Sequence, residues 1–118
     1  MKRLLLLLVI FLVACNHDVN LDEFAQCLSN EGFTLYSANT CPHCVQQEKM
    51  FGDSFKYIYR VECNPHAPNA KAELCIEKEI EGTPTWIREE EGKITKYQGT
   101  QPLVALSLAS GCELPQSE

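Results

Sequence analysis

The sequence has few basic residues and no apolar run long enough to cross a membrane. Lysine and arginine number 10 against 16 acidic residues, which gives a net charge of −6 at pH 7. Nucleic-acid binders need a clustered basic face, and none is visible here, so that class is excluded. The apolar run at 4–13 has ten residues, about half of what a transmembrane helix needs. The chain also lacks repeats, and its 118 residues, 45% of them hydrophobic, predict one compact domain.

The first fifteen residues indicate export. Lys2 and Arg3 precede the short apolar run, as in a secretory signal peptide, here residues 1–14. The run ends in Leu12-Val13-Ala14-Cys15, which resembles the lipobox of prokaryotic lipoproteins. That resemblance implies cleavage before Cys15, acylation of its thiol and a tether over residues 15–20. We therefore expect an extracytoplasmic, lipid-anchored protein on the cell surface or periplasmic side of a prokaryotic membrane. A plain secretory peptide with an incidental cysteine is the alternative.

The cysteine content is high for so short a chain. Of seven cysteines, lipidation of Cys15 leaves six. An even number in an exported protein favours disulfides, because the compartment is oxidising. Metal binding and redox chemistry are the other uses of such residues. The six are Cys27, Cys41, Cys44, Cys63, Cys75 and Cys112.

Periodicity along the chain predicts helices alternating with short strands. The last two strands form a hairpin with a charged turn at 89–93. Helices are expected at 21–31, from 45 to about 51, at about 70–79 and from 103 to near Gly111 and Cys112; strands are expected at 33–37, 57–61, 82–87 and 94–98. This order predicts an α/β fold with a central mixed four-stranded sheet flanked by helices.

The reactive chemistry is expected in Cys41-Pro42-His43-Cys44, at a strand-to-helix junction. Unpaired N–H groups and a partial positive charge at a helix N-terminus favour the thiolate of Cys41. Pro42 suits the first helical turn because its missing N–H costs nothing there. His43 can add a donor or a positive charge to the same sulfur, which makes the disulfide more oxidising. Cys44, one turn into the helix, is expected to be more buried.

The motif order resembles the thioredoxin fold. More closely, it is similar to the thioredoxin-like domain fused to prokaryotic vitamin K epoxide reductase homologues. The resemblance covers about 21–112, within a domain predicted at 21–113 and followed by a tail at 114–118. Its motifs are Phe24-Ala25-Gln26-Cys27-Leu28, Cys41-Pro42-His43-Cys44, Phe51-Gly52-Asp53-Ser54-Phe55, Val61-Glu62-Cys63, Glu73-Leu74-Cys75, Gly82-Thr83-Pro84-Thr85-Trp86 and Ser110-Gly111-Cys112.

The resemblance implies a role for each matching site residue. Cys41 is the nucleophile and Cys44 the resolving cysteine, while Pro84 is a cis-proline that presents the Thr83 backbone to a bound polypeptide. Two departures stand out. The chain has no vitamin K epoxide reductase membrane domain, so its redox partner must be a separate protein. Leu35 occupies the place of a buried aspartate that assists proton transfer in thioredoxins.

Placed on that fold, the other four cysteines are expected to form structural disulfides. Cys63–Cys75 would close a proline-containing loop, worth about 3 kcal/mol. Cys27–Cys112 would join the first and last helices and contribute about 4 kcal/mol. Alternatively, Cys63 and Cys75 form a second, exchangeable pair that relays electrons to Cys41. A zinc site built from Cys41, Cys44, Cys63, Cys75 and His66 is a further alternative.

These observations predict a thiol-disulfide oxidoreductase that exchanges disulfides with cysteine-containing proteins, in oxidative folding or isomerisation. It would work as a monomer without a cofactor or metal. Its membrane partner would be a vitamin K epoxide reductase-like protein, another quinone-linked protein or a supplier of reductant. A reductase of the same fold is the alternative within this class. From another class, a copper-binding or copper-delivery lipoprotein would use Cys41 and Cys44 as soft ligands.

Overall fold

The computed structural model describes residues 19–116. The predicted signal peptide, Cys15 and most of the tether lie outside the described residues. Nine helices and strands lie within this range. The helices are α1 (Asp22–Asn30), α2 (Pro42–Phe51), α3 (Ala72–Glu77) and α4 (Leu103–Ser110), with a 3₁₀ helix at Gly52–Tyr57; the strands are β1 (Phe33–Ser37), β2 (Tyr59–Glu62), β3 (Thr85–Glu90) and β4 (Lys93–Gln98). Within residues 19–116, none of the helices has the length and apolar character needed to cross a membrane.

The strands form one mixed sheet in the order β2-β1-β3-β4. Strand β1 pairs with β2 in parallel, through the α2 crossover, and with β3 in antiparallel fashion. Strands β3 and β4 form an antiparallel hairpin. A β-α-β unit followed by a β-hairpin and a terminal helix is the thioredoxin-like arrangement, so the predicted fold class is confirmed.

Each face of the sheet carries its own apolar cluster, because side chains alternate along a strand. One face packs α1, α2 and α4, which contribute Phe24, Phe51 and Leu106 around Trp86. The opposite face packs α3, where Cys75 meets Tyr36, Val61 and Ile87. The sheet is thus covered on both sides, and the C-terminal ends of β1 and β2 lead into the segments that carry Cys41 and Cys63.

Helix α1 is short and depends on packing. Its buried residues Phe24, Ala25 and Leu28 recur at helical spacing, and Asp22 and Glu23 lie in the first turn, where the helix dipole favours negative charge. Cys27 packs at the edge of the same cluster. The helix therefore buries its apolar stripe against the face that also carries α2 and α4.

Several predicted boundaries differ from the structure. A 3₁₀ helix fills 52–57, so β2 begins at Tyr59 rather than at residue 57. Strand β3 runs from Thr85 through Glu90, which confines the charged turn to Glu91 and Gly92. Cys112 lies two residues beyond the end of α4 rather than within it. Strand pairing sets the start of β2 and the end of β3, because Tyr59 pairs with Thr34 and Glu90 pairs with Lys93.

Candidate redox site

Cys41 is the N-cap residue of α2. Its backbone is extended, with φ −94° and ψ 115°, and Pro42 opens the helix behind it. The Cys41 N–H donates to the Ala38 carbonyl at 3.1 Å, which closes the turn after β1. The local sequence accounts for this start, since proline fits the first helical position and an N-cap side chain accepts from the first turn. Both sulfurs of the Cys41–Cys44 pair are thiols in this structure.

The Cys41 sulfur lies at the opening of the helix and is half-buried. It accepts a hydrogen bond from the Cys44 backbone N–H at 3.2 Å. Burial raises the pKa of the Cys41 thiol. Hydrogen bonds from the side chains of Cys44 and Thr83 and from the backbone N–H groups of Cys44 and His43 outweigh that effect, so the pKa lies below its ordinary value of 9.0. Cys41 is the accessible, acidic thiol of the pair.

The Cys44 sulfur lies beneath it and is fully buried. It accepts a long hydrogen bond, 3.5 Å, from the Ala38 backbone N–H. Burial, together with the hydrogen bond to Cys41, raises the pKa of the Cys44 thiol to about 11. The two sulfurs therefore differ in both exposure and acidity, which suits one to initiate an exchange reaction and the other to complete it.

The Thr83–Pro84 segment faces the cysteine pair. The Thr83–Pro84 peptide bond is cis. The thiol of Cys41 donates to the Thr83 carbonyl oxygen at 3.4 Å. Pro84 is fully buried at the start of β3, and its own carbonyl accepts from Gly99 N–H at 2.8 Å. Thr83 is half-buried and lies beside Cys41.

The predicted role of the His43 side chain stays a prediction. That side chain is exposed, and it is the backbone of His43 that contributes to lowering the pKa of Cys41. Its carbonyl oxygen accepts from the Thr100 hydroxyl at 3.3 Å, which joins the start of α2 to the loop after β4. Among the hydrogen bonds of residues 19–116, none joins the imidazole to the Cys41 sulfur.

A buried glutamate holds the loop before the cysteine pair, and the sequence analysis missed it. Glu62, at the end of β2, is 7% exposed. Its carboxylate accepts from the Asn39 N–H at 3.0 and 3.2 Å and from the Asn64 N–H at 3.3 Å, and it pairs with Arg60 at 3.3 Å. Arg60 in turn pairs with Glu48 of α2 at 2.8 Å. This network holds the 38–40 loop in place. Local sequence does not predict it, because Asn39 and Glu62 are 23 residues apart.

Gln47 is the second residue that the sequence analysis missed. It is fully buried on α2, one turn after Cys44. Its side-chain oxygen accepts from the Trp86 indole N–H at 3.0 Å and from the Gln101 N–H at 2.6 Å, while its amide donates to the Gln101 carbonyl at 3.0 Å. Its position on the buried stripe of Cys44 and Phe51 was an available signal, since a polar residue there needs partners.

The other four cysteines are bonded in two pairs. Cys27 is joined to Cys112 with the Cα atoms 5.9 Å apart, and Cys63 is joined to Cys75 at 5.8 Å. The Cys63–Cys75 bond removes those thiols from the zinc site considered above. Among residues 19–116, no group of three or more His, Cys, Asp or Glu side chains is placed to hold a metal ion.

Comparison with known proteins gives a relative of related chemistry. No family model matches the chain. The thiol-disulfide oxidoreductase LTO1 of Arabidopsis thaliana is 37% identical over 67 residues, which cover 53% of this chain and 18% of that protein. The chain therefore spans less than a fifth of the length of this relative. A solved thioredoxin from Aeropyrum pernix is similar at 24% identity, with a TM-score of 0.48 over 74% of this chain and 78% of that one.

Proposed function

We propose that the protein is an extracytoplasmic thiol-disulfide oxidoreductase that exchanges disulfides with cysteine-containing proteins through Cys41 and Cys44. The observation that best supports this proposal is that the two thiols differ in exposure and in pKa. Cys41 is half-buried with a lowered pKa, whereas Cys44 is fully buried with a pKa raised to about 11. An accessible thiolate beside a protected thiol is the arrangement that two-step exchange needs.

The exchange proceeds through a mixed disulfide. In the oxidising direction, a client thiolate attacks Cys41 Sγ of the Cys41–Cys44 disulfide, and the electron pair of the broken bond passes to Cys44. The Cys44 sulfur then takes up a proton, as its high pKa requires. A second client thiolate attacks the client sulfur of the mixed disulfide and releases Cys41 as a thiolate. The client loses two electrons and the pair gains them.

The same steps run backwards when the protein acts as a reductase. The Cys41 thiolate then attacks the client disulfide, and Cys44 gives its proton to the released client sulfur. The Cys44 thiolate next attacks Cys41 Sγ of the mixed disulfide, which closes the Cys41–Cys44 bond and releases the second client sulfur as a thiolate. Stabilisation of the Cys41 thiolate favours the reduced pair, which makes its disulfide a better oxidant. We therefore assign oxidation or isomerisation as the main direction and keep reduction as the alternative.

Client polypeptides are assigned to the edge formed by Thr83 and Pro84. The Thr83 carbonyl lies 3.4 Å from the Cys41 sulfur, and Thr83 is partly exposed there. A client in extended conformation would form backbone hydrogen bonds there. Contact through backbone atoms supports a broad range of clients rather than one sequence.

The N-terminal sequence supports a location for the reaction at a membrane surface outside the cytoplasm. A lipidated Cys15 would place the domain on the outer side of a membrane, beside a separate redox partner that recharges Cys41 and Cys44. A vitamin K epoxide reductase-like or other quinone-linked protein fits the oxidising direction. Expression of the full chain with labelled palmitate tests the anchor: wild type should be labelled and sediment with membranes, and Cys15→Ala should be unlabelled.

Refolding of a reduced, unfolded disulfide protein tests the exchange activity. With the oxidised domain supplied in stoichiometric amounts, wild type should speed the return of native disulfides, and Cys41→Ser should not. The Cys63→Ala/Cys75→Ala double variant should retain the activity if that pair is structural, and should lose it if the pair relays electrons. A copper-delivery protein would instead retain copper at one equivalent and leave the client unchanged in the presence of a chelator.

A further inference from the structure

Ser37 presents a buried hydroxyl with no partner at the end of β1. The residue is fully buried. Its hydroxyl oxygen has no hydrogen-bond partner within residues 19–116. A buried polar group without a partner costs free energy, and such groups in folded proteins call for an explanation. Alanine would fit a fully buried strand position without that cost.

The hydroxyl lies on the α2 side of the sheet. Side chains alternate along β1, where Leu35 belongs to the cluster that includes Phe51 of α2 and Tyr36 belongs to the opposite cluster. Ser37 therefore shares the face of Leu35. The next residue, Ala38, donates its backbone N–H to the Cys44 sulfur at 3.5 Å. The Ser37 side chain therefore lies on the face of the sheet that carries α2, one residue before the backbone N–H that contacts the Cys44 sulfur.

The neighbouring strands offer this hydroxyl no ready acceptor. Glu62 is its register partner on β2, but that carboxylate already accepts from Asn39, Asn64 and Arg60. On the other side, the β1–β3 ladder ends at Tyr36 and Thr85, which leaves Ser37 beside Pro84. The carbonyl of Ser37 itself is used by the Cys63 N–H at 2.8 Å. The Cys44 sulfur is the group near this end of β1 that acquires negative charge during exchange.

We propose that the Ser37 hydroxyl donates a hydrogen bond to the Cys44 sulfur when that sulfur is a thiolate. This inference rests on the proposed function, because Cys44 carries the charge only during exchange. When a client thiolate attacks Cys41, the Cys41–Cys44 bond breaks and its electron pair goes to Cys44. The hydroxyl stabilises that leaving group without giving up its proton. The proton that Cys44 finally binds comes from solvent or from the second client thiol.

The hydroxyl supplies a neutral dipole on this face of β1. Leu35, on the same face, is apolar and fully buried in the cluster that contains Trp86. A hydroxyl donor favours a thiolate on Cys44, whereas a carboxylate would repel it. Ser37 therefore assists the departure of Cys44 in the oxidising direction.

Ser37→Ala tests the proposal, with Ser54→Ala as the matched control. Ser54 is also a buried serine, but its hydroxyl donates to Asp22 at 2.7 Å, away from the cysteine pair. Ser37→Ala should slow reduction of the Cys41–Cys44 disulfide by dithiothreitol roughly three- to tenfold. The variant loses the hydrogen bond to the Cys44 sulfur, and in the transition state that sulfur carries only part of its negative charge. It should leave the free energy of unfolding unchanged or raised. Ser54→Ala should lower stability and leave the rate unchanged.

The pKa of Cys44 gives a readout that does not depend on any client. Titration of the reduced protein, followed by the NMR signal of the Cys44 Cβ carbon, should show a higher pKa in Ser37→Ala than in wild type. An unchanged rate and pKa would overturn the proposal, and so would a slower rate accompanied by lost stability. If the wild-type protein does not act on client proteins, that result contradicts the proposed function. The comparison of Cys44 pKa values between wild type and Ser37→Ala still tests the role of Ser37.

Discussion

The indole N–H of Trp86 donates to the side-chain oxygen of Gln47 at 3.0 Å, in a part of the core closed to solvent. This contact joins the central strand β3 to the helix that carries both redox thiols. The same glutamine holds the backbone of Gln101 in the loop after β4. The position of the cysteine pair relative to the cis-proline therefore depends on one buried amide.

Gln47→Ala should destabilise the protein and loosen the site. It removes the partner of the buried Trp86 N–H and of the half-buried Gln101 N–H and carbonyl, which should cost roughly 2–4 kcal/mol. Gln46→Ala is the matched control, because Gln46 is its exposed neighbour on the same helix; it should change stability by about 0.5 kcal/mol or less. Urea denaturation compares the two variants, and equal stabilities would contradict this account of Gln47.

The two thiols should react with iodoacetamide in different pH ranges. Because the pKa of Cys41 lies below 9.0, its alkylation should rise and level off at a lower pH than that of Cys44. Cys44, with a pKa of about 11, should remain protected until strongly alkaline pH. Mass spectrometry of the labelled peptides from pH 5 to 11 measures both. Labelling of Cys44 before Cys41 would reverse the assigned roles.

The two disulfides should stabilise the fold by different amounts. Cys27→Ala/Cys112→Ala opens a loop with a sequence separation of 85 and should cost about 4 kcal/mol. Cys63→Ala/Cys75→Ala opens a loop with a separation of 12 and should cost about 3 kcal/mol. Guanidinium denaturation of each double variant gives the values. A larger loss from the short loop would show that the stabilisation does not come from loop closure.

The fold requires glycine at position 32 because of its backbone conformation and because of a close contact, and the two effects can be measured separately. Its φ is +85°, and a Cβ there would collide with the Glu89 carbonyl oxygen. Gly92 in the β3–β4 turn has a φ of +80° but open space around it. Gly92→Ala should cost about 1–2 kcal/mol for the left-handed backbone alone. Gly32→Ala should cost about 2 kcal/mol more, from steric overlap. Thermal unfolding compares them, and equal losses would rule out the collision.

Structural features that depend on residues close together in sequence were predictable. The strand at 33–37 was predicted with the bounds that the structure has. The start of α2 was predictable because Pro42 and the N-cap cysteine act within one turn. The alternating apolar pattern indicated the sheet, and an even set of six cysteines indicated bonding. These signals involve residues a few positions apart, so the chain alone carries them.

Features that depend on distant partners were not predictable. Tyr57 and Ile58 have strand-forming side chains, but the 3₁₀ helix extends through Tyr57 and pairing with β1 begins at Tyr59. Glu62 and Gln47 gain their roles from Asn39 and Trp86, which lie 23 and 39 residues away in sequence. The unpartnered hydroxyl of Ser37 appears only once β2, β3 and α2 are placed around it.

Equilibration of the domain with glutathione buffers, followed by trapping and counting of thiols, tests the central claim most directly. The account predicts one two-electron transition at Cys41 and Cys44, with a potential between about −120 and −180 mV, as for disulfide donors and isomerases. The Cys27–Cys112 and Cys63–Cys75 bonds should stay closed throughout. A potential near about −270 mV would reverse the direction in favour of reduction, and failure of Cys41 and Cys44 to form a disulfide at any ratio would contradict the exchange reaction itself.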